Sequence, residues 1–287
     1  MGGQGIRLLD GPMGTELLAR GVPTPLPQWS AAALREAPGV VRAIHEAYAA
    51  AGANVHTANT FRTQPRWCPD DWRDLVRVAV GAARAAAGPG DLVAGSMAPL
   101  EDCYAPGLSP PDPAPEHRRL ARALAEEGCD LILVETFPHV GEALVAVDEA
   151  LATGLPCWLA LTAGPDADLL DVDAMRVGFA EAVRLGASAV LVNCVPAAKT
   201  LGFLAATAGH GVPFGAYANA GRAEEGMGWT SDPLAPARYA DLAATWVAAG
   251  ATILGGCCGT GPAHVAALSA RFSPRSGRSA RSRRGPR

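Results

Sequence analysis

Short runs that are apolar at nearly every position alternate along the chain with longer segments rich in alanine, leucine, arginine and glutamate. Eight such pairs can be read. The apolar runs cover residues 6–11, 54–61, 92–99, 131–137, 157–163, 189–195, 213–219 and 252–259. The helical segments cover about 38–51, 70–87, 115–127, 140–152, 173–185, 197–209, 233–249 and 262–272. Asp70, Pro115, Asp173, Asp232 with Pro233, and Thr260 before Pro262 supply the expected start signals. Runs without a polar face are the pattern of parallel strands covered on both sides. Eight consecutive βα units predict an α/β fold, a (β/α)8 TIM barrel in a single domain over 1–272. A doubly wound sheet is the alternative, but "DGPMGTE" after the first strand lacks the G-x-G-x-x-G phosphate loop. Residues 273–287 hold six arginines and no large apolar residue, so a disordered, solvated tail is expected there.

Composition narrows the function. Of 287 residues, 49% are hydrophobic, enough for a well-buried core, and the net charge of −4 does not suggest a nucleic-acid partner. No apolar stretch approaches the roughly 20 residues of a membrane span. The opening "MGGQGIRLLDG" has no basic segment followed by an apolar one, so no signal peptide is expected. Seven cysteines without such a signal point to a reducing cytoplasmic setting, with core, metal or catalytic roles.

In a barrel of this kind chemistry gathers where the strands end. Those ends carry Asp10, Asn59, Glu135, Asn193 with Cys194, Tyr217 with Asn219, and the stretch "GGCCGTGP" containing Cys257 and Cys258. Two adjacent cysteines alone read equally as small buried residues, as a vicinal disulfide or as metal ligands. Cys194 on the same rim makes a set of three soft ligands with a fourth position open, which suits zinc. Neighbouring residues of a regular strand point to opposite faces, so the chain has to turn at 257–258, and the flanking glycines permit it. Without metal the adjacent pair is expected to oxidise. Cys68, Cys103, Cys129 and Cys157 read as structural or incidental. Asp10 and Glu135 form an acidic clamp for an ammonium group, and the amides of Met13 and Gly14 offer a place for a carboxylate. Asn193 is a further substrate contact. Trp29 in "PQWS" and Trp229 in "GMGWTSDP" are the candidates for an aromatic wall beside a cationic ligand. An amino acid bearing a thiol satisfies these features together.

The chain also resembles the homocysteine S-methyltransferase family. The resemblance lies in "LLDGPMGTEL" (8–17), "PQWS" (27–30), "AGANVHTANTF" (51–61), "DLILVETF" (130–137), "VNC" (192–194) and "GGCCGTGPAHVAAL" (255–268). It implies a (β/α)8 barrel whose Cys194, Cys257 and Cys258 hold Zn2+, with Asp10 and Glu135 on the homocysteine amino group. It implies methyl transfer from a cationic donor to the homocysteine thiolate, giving methionine. S-methylmethionine or S-adenosylmethionine is the favoured donor, ahead of betaine or other sulfonium and methylammonium compounds. Alternatives are a different thiol or selenol acceptor, or a zinc- and thiol-binding barrel without catalysis. The segments 62–91 and 97–115 depart from the family's pattern, which leaves the donor less well marked than the acceptor. The sequence does not fix the oligomeric state.

Overall fold

The eight apolar runs become eight strands of one parallel sheet in the computed structural model, which describes residues 5–229 and 231–272. The chain begins with β1 (Arg7–Leu8), α1 (Met13–Ala19), α2 (Ala33–Glu36), α3 (Pro38–Ala51), β2 (Val55–Ala58) and α4 (Trp72–Ala86). Then come β3 (Leu92–Met97), α5 (Ala114–Glu126), β4 (Leu131–Phe137), α6 (Val140–Leu151), β5 (Cys157–Leu161) and α7 (Val172–Leu185). The last units are β6 (Ala189–Pro196), α8 (Ala197–Leu204), β7 (Phe214–Asn219), α9 (Ala235–Ala248), β8 (Ile253–Gly256) and α10 (Pro262–Phe272).

Strand neighbours follow chain order from β2 to β8, and β8 pairs with β1. A bridge between Leu9 and Val55, with Asn54 N donating to Leu8 O at 2.9 Å, joins β1 to β2. The ring therefore closes and has no switch point, which removes the doubly wound alternative. Every residue of β4, β5 and β6 is buried, as runs without a polar face require. Leu9, Val55, Leu133, Ala160, Leu191 and Ile253 belong to one buried cluster from alternate strand positions, which fills the barrel. The helices cover the outside through one face each. In α4, Trp72, Leu75, Val76, Ala79, Val80 and Ala83 are buried at helical spacing. Gly52 and Gly250 close α3 and α9 at φ +104°, a conformation that favours glycine.

Local details differ from the sequence reading. Each strand except β4 and β6 is shorter than its apolar run: β1, β2, β3, β5 and β8 lose their last residues to the rim, and β7 only its first. The first βα connection contains two helices the hydrophobic pattern does not announce, α1 and α2. Helix α8 stops at Leu204, five residues before the expected end at 209. Asp171, not Asp173, caps α7 by accepting from Ala174 N at 2.8 Å; Asp173 pairs with Arg176 instead. Asp71, not Asp70, precedes α4, and its carboxylate is engaged by Arg35. The arginine-rich segment 273–287 lies outside the described residues. Among those described, no helix is long and apolar enough to cross a membrane.

The close packing of strands gives a paired stability test. A methyl group at Gly215 would run into the backbone carbonyl of Ile253 on β8, whereas one at Gly81 on exposed α4 meets open space. Gly215→Ala is expected to cost about 3 kcal/mol or more by overpacking against backbone, and Gly81→Ala to add about 0.5–1 kcal/mol. Urea denaturation of the two variants checks both signs.

Candidate active site

Two strands leave their ladders at matching points on the rim. The register shifts between Val134 and Phe137 in β4 and between Asn193 and Pro196 in β6. Thr136 (φ +64°) and Cys194 (φ +49°) there adopt left-handed backbone conformations. Non-glycine residues in that region cost on the order of 1–3 kcal/mol each, so neighbouring groups have to hold them. Asn193 does so. Its Oδ1 accepts from Thr136 N at 3.2 Å and its Nδ2 donates to Thr136 Oγ1 at 2.7 Å. Asn219 Nδ2 donates to Cys194 O at 2.9 Å. Such bulges re-aim side chains, and here Glu135, Thr136 and Cys194 all line one cavity of about 360 Å³.

The last strand ends at Gly256, so Cys257 and Cys258 lie in a turn rather than in the ladder. Cys257 N donates to Ala218 O, and Cys257 O accepts from Thr260 N and Oγ1. Ala220 N donates to Cys258 O, and Gly259 N donates to Thr15 Oγ1 on α1. Both cysteines consequently face the same cavity, as the sequence requires of metal ligands. The sulfurs of Cys194, Cys257 and Cys258 all lie within 4.8 Å of one another, a group that could hold a metal ion. A disulfide links Cys194 on β6 to Cys257 just after β8, with Cα atoms 5.7 Å apart, and Cys258 is free. The adjacent pair expected to oxidise is therefore not the bonded one. Burial pushes the Cys258 thiol up to about 11, and Glu135 adds to that effect.

Asp10, just after β1, and Glu135, in β4, both line the cavity. Asp10 Oδ2 accepts from Thr57 N at 2.9 Å and lies 3.5 Å from Nδ1 of the buried His45 on α3. Glu135 accepts from Ser96 Oγ at 2.5 Å and from Tyr217 OH at 2.9 Å. Burial raises the Glu135 carboxyl to about 7; the Ser96 and Tyr217 hydrogen bonds work against the rise, and Asp10 adds to it. Two buried acids without a cation between them form a site that favours an ammonium group.

The other expected residues divide. Trp29 (φ +45°) lines the cavity, packs over Gly14 and meets Phe61 edge-on at 5.6 Å. Met13 also lines it, and Met13 and Gly14 open α1, where first-turn amides have no intrahelical acceptor. Gly14 itself serves as the seat for the Trp29 ring. Asn193 is fully buried, does not line the cavity and is committed to Thr136. Trp229 is 52% exposed, donates to Gly221 O and does not line the cavity. Cys103, read as incidental, lines the cavity together with Asp102 and Tyr104 from the loop after β3. Sequence reasoning missed Thr57, Ser96 and Arg62 as well. Ser96 sits at a strand end, like the residues it did find; the loop residues carry no comparable signal.

Comparison with known proteins agrees with this geometry. The sequence model of the family described as homocysteine S-methyltransferase matches residues 7–272. A homocysteine S-methyltransferase from Escherichia coli (strain K12) is 33% identical, covering 93% of this chain and 96% of its own length. An S-methylmethionine–homocysteine S-methyltransferase from Pongo abelii is 28% identical, covering 87% of this chain and 74% of its own. Among solved structures, the metallated form of the Escherichia coli homocysteine methyltransferase MmuM superposes with a TM-score of 0.78 at 28% identity, covering 93% of this chain and 96% of that one. An oxidised form of the same enzyme superposes at 0.77.

The raised Glu135 carboxyl has a measurable sign. Folded protein keeps that proton up to about pH 7, whereas the unfolded chain releases it near 4.5. The stability it contributes is full below pH 4.5 and is lost as pH rises through 7. Glu135→Gln, denatured by urea without added metal or substrate, is expected to lose that part of the decline. A slope identical to wild type between these pH values contradicts the assignment.

Proposed function

Because the chain belongs to the homocysteine S-methyltransferase family, we propose that it transfers a methyl group from a cationic sulfonium donor to the thiolate of homocysteine, giving methionine, with Zn2+ on Cys194, Cys257 and Cys258. S-methylmethionine or S-adenosylmethionine is the donor we place first. The observation that carries the reading is the convergence of three cysteine sulfurs and two buried acids in one cavity.

The donor set fits zinc. Three soft sulfur ligands close enough together to share one ion suit a tetrahedral zinc site with a fourth position open. The metal-binding state is the reduced one, because a bond between Cys194 and Cys257 occupies two of the three. Zinc held there supplies the positive charge that keeps a substrate thiol deprotonated at neutral pH.

The chain's own residues do the rest. Asp10 and Glu135 take the homocysteine ammonium, and that positive charge lets Glu135 release its proton. The amides of Met13 and Gly14 receive the carboxylate. Trp29, Phe61 and Tyr104 wall the cavity and offer aromatic faces to a sulfonium. In the transfer, a bond forms between the homocysteine sulfur and the methyl carbon as the donor's S–CH3 bond breaks. The bonding electrons stay with the donor sulfur, which leaves as a neutral thioether. A cavity walled by apolar and aromatic groups favours this loss of charge. Substrates of this kind call for no nucleic-acid or membrane partner, and free thiols suit a cytoplasmic setting.

Reduced wild-type protein is expected to bind about one zinc per chain and to form methionine from homocysteine with a methyl sulfonium, read by mass spectrometry. Cys258→Ser is expected to lose both. Protein that binds no zinc rejects the metal assignment; zinc-loaded protein inactive with every donor rejects the transfer. Asp10→Asn is expected to raise the homocysteine KM by about 10- to 100-fold, the worth of a hydrogen bond to a charged group.

A further inference from the structure

A helix on the outside of the barrel reaches Asp10 from behind. The backbone of Asp10 is spent on neighbouring strands: its N donates to Val55 O at 3.0 Å, and its O accepts from Gly256 N at 3.3 Å. Its carboxylate is divided. Oδ2 accepts from Thr57 N on β2 at 2.9 Å and faces Nδ1 of His45 at 3.5 Å. Oδ1 accepts no hydrogen bond among the described residues, and Asp10 lines the cavity. His45 belongs to the buried face of α3, where Val41, Ile44, His45 and Tyr48 recur at helical spacing. Tyr48 OH donates to Pro12 O at 3.3 Å, and its ring leaves no room for a methyl group at Gly11. One helix face thus sets two polar side chains against the turn that follows β1.

His45 is fully buried, and among the described residues neither of its ring nitrogens has an aligned hydrogen bond. Two other fully buried imidazoles differ: His56 sets Nε2 against Asp91 at 3.3 Å, and His117 sets Nε2 against Glu142 at 3.2 Å. A buried polar ring without partners costs stability that an apolar side chain of similar bulk does not. Such departures from good packing are expected beside functional groups. The carboxylate within ion-pair reach of His45 is Asp10. Hydrogen bonds of this kind are often long in a ligand-free site and tighten when the ligand arrives.

Building on the methyl-transfer reading of this cavity, we propose that His45 is a positioning residue for the acceptor: it holds Oδ2 of Asp10 from the helix side and so turns Oδ1 toward the homocysteine ammonium. Thr57 N alone leaves the carboxylate free to swivel about its Cβ–Cγ bond. A second donor on the same oxygen, from a different element, stops that rotation. The role requires the imidazole proton on Nδ1.

The test reads homocysteine binding by calorimetry on zinc-loaded protein without donor, beside steady-state kinetics with S-methylmethionine. His45→Leu is expected to weaken homocysteine binding and raise its KM about 3- to 10-fold. The donor KM is expected to stay, and the urea midpoint not to fall, because a ring with unpartnered nitrogens is removed. His45→Asn, whose amide nitrogen reaches the place of Nδ1, is expected to bind homocysteine much as wild type does. His45→Gln, whose amide reaches the place of Nε2, is expected to behave like His45→Leu. In an Asp10→Ala background, His45→Leu is expected to add no further loss. Unchanged binding in His45→Leu overturns the proposal, and so does equal binding in His45→Asn and His45→Gln, a pair that decides even if the leucine variant does not fold. Equal rises in both KM values with a lower urea midpoint mark a merely structural residue and also overturn it. Wild-type protein that binds homocysteine but turns over no donor rejects methyl transfer, and the binding constants of the variants then decide the role of His45. Wild-type protein that binds no homocysteine overturns both.

Discussion

The hydrogen bonds between Asn193 and Thr136 are the constraint on which the site rests. They fasten β4 to β6 where both strands carry a left-handed residue that neither would keep alone. A regular strand would send residues on to the next rung of the ladder. Here the break lets Glu135, Thr136 and Cys194 face the same space. Asn219 repeats the device from β7 by holding the carbonyl of Cys194. Strain is thereby placed beside the reacting groups and offset by polar contacts between strand ends.

The cavity's electrostatics follow from that placement. Its floor combines sulfur ligands with two carboxylates, so in the absence of cations it is a poor place for negative charge. Burial is the larger cause and the neighbouring acid the smaller one in both shifts: the Glu135 carboxyl is raised to about 7 and the Cys258 thiol to about 11. On the proposed reading, a metal ion and an ammonium group would relieve both at once. In that proposal, recognition of a zwitterionic thiol and activation of its sulfur are parts of a single charge balance.

Much of this was legible in the sequence because a barrel turns chain order into geometry. Once eight βα units are read, strand ends converge on one rim, and Asp10, Glu135, Cys194, Cys257 and Cys258 can be placed together without coordinates. Asn193 shows the limit of the method. It precedes Cys194 and sits on the rim, but its side chain supports the bulge, and a bulge has no sequence signal. Arg62 and the loop residues Asp102 to Tyr104 show another. They reach the cavity because their segments fold back over it, and hydrophobic periodicity says nothing about where an irregular loop lies. Trp29 was the first candidate for the aromatic wall and Trp229 the second; only Trp29 lines the cavity.

The seam that closes the barrel also determines when the site comes into existence. β1 meets β8 there, Gly256 N donates to Asp10 O, and Gly259 N reaches Thr15 across 244 residues of sequence. The first acid and the last two sulfurs thus come from opposite ends of the barrel sequence. A growing polypeptide displays Asp10, Glu135 and Cys194 long before Cys257 and Cys258 emerge from the ribosome. Until then Cys194 has neither of its rim partners. The rim set is complete only when the ring closes.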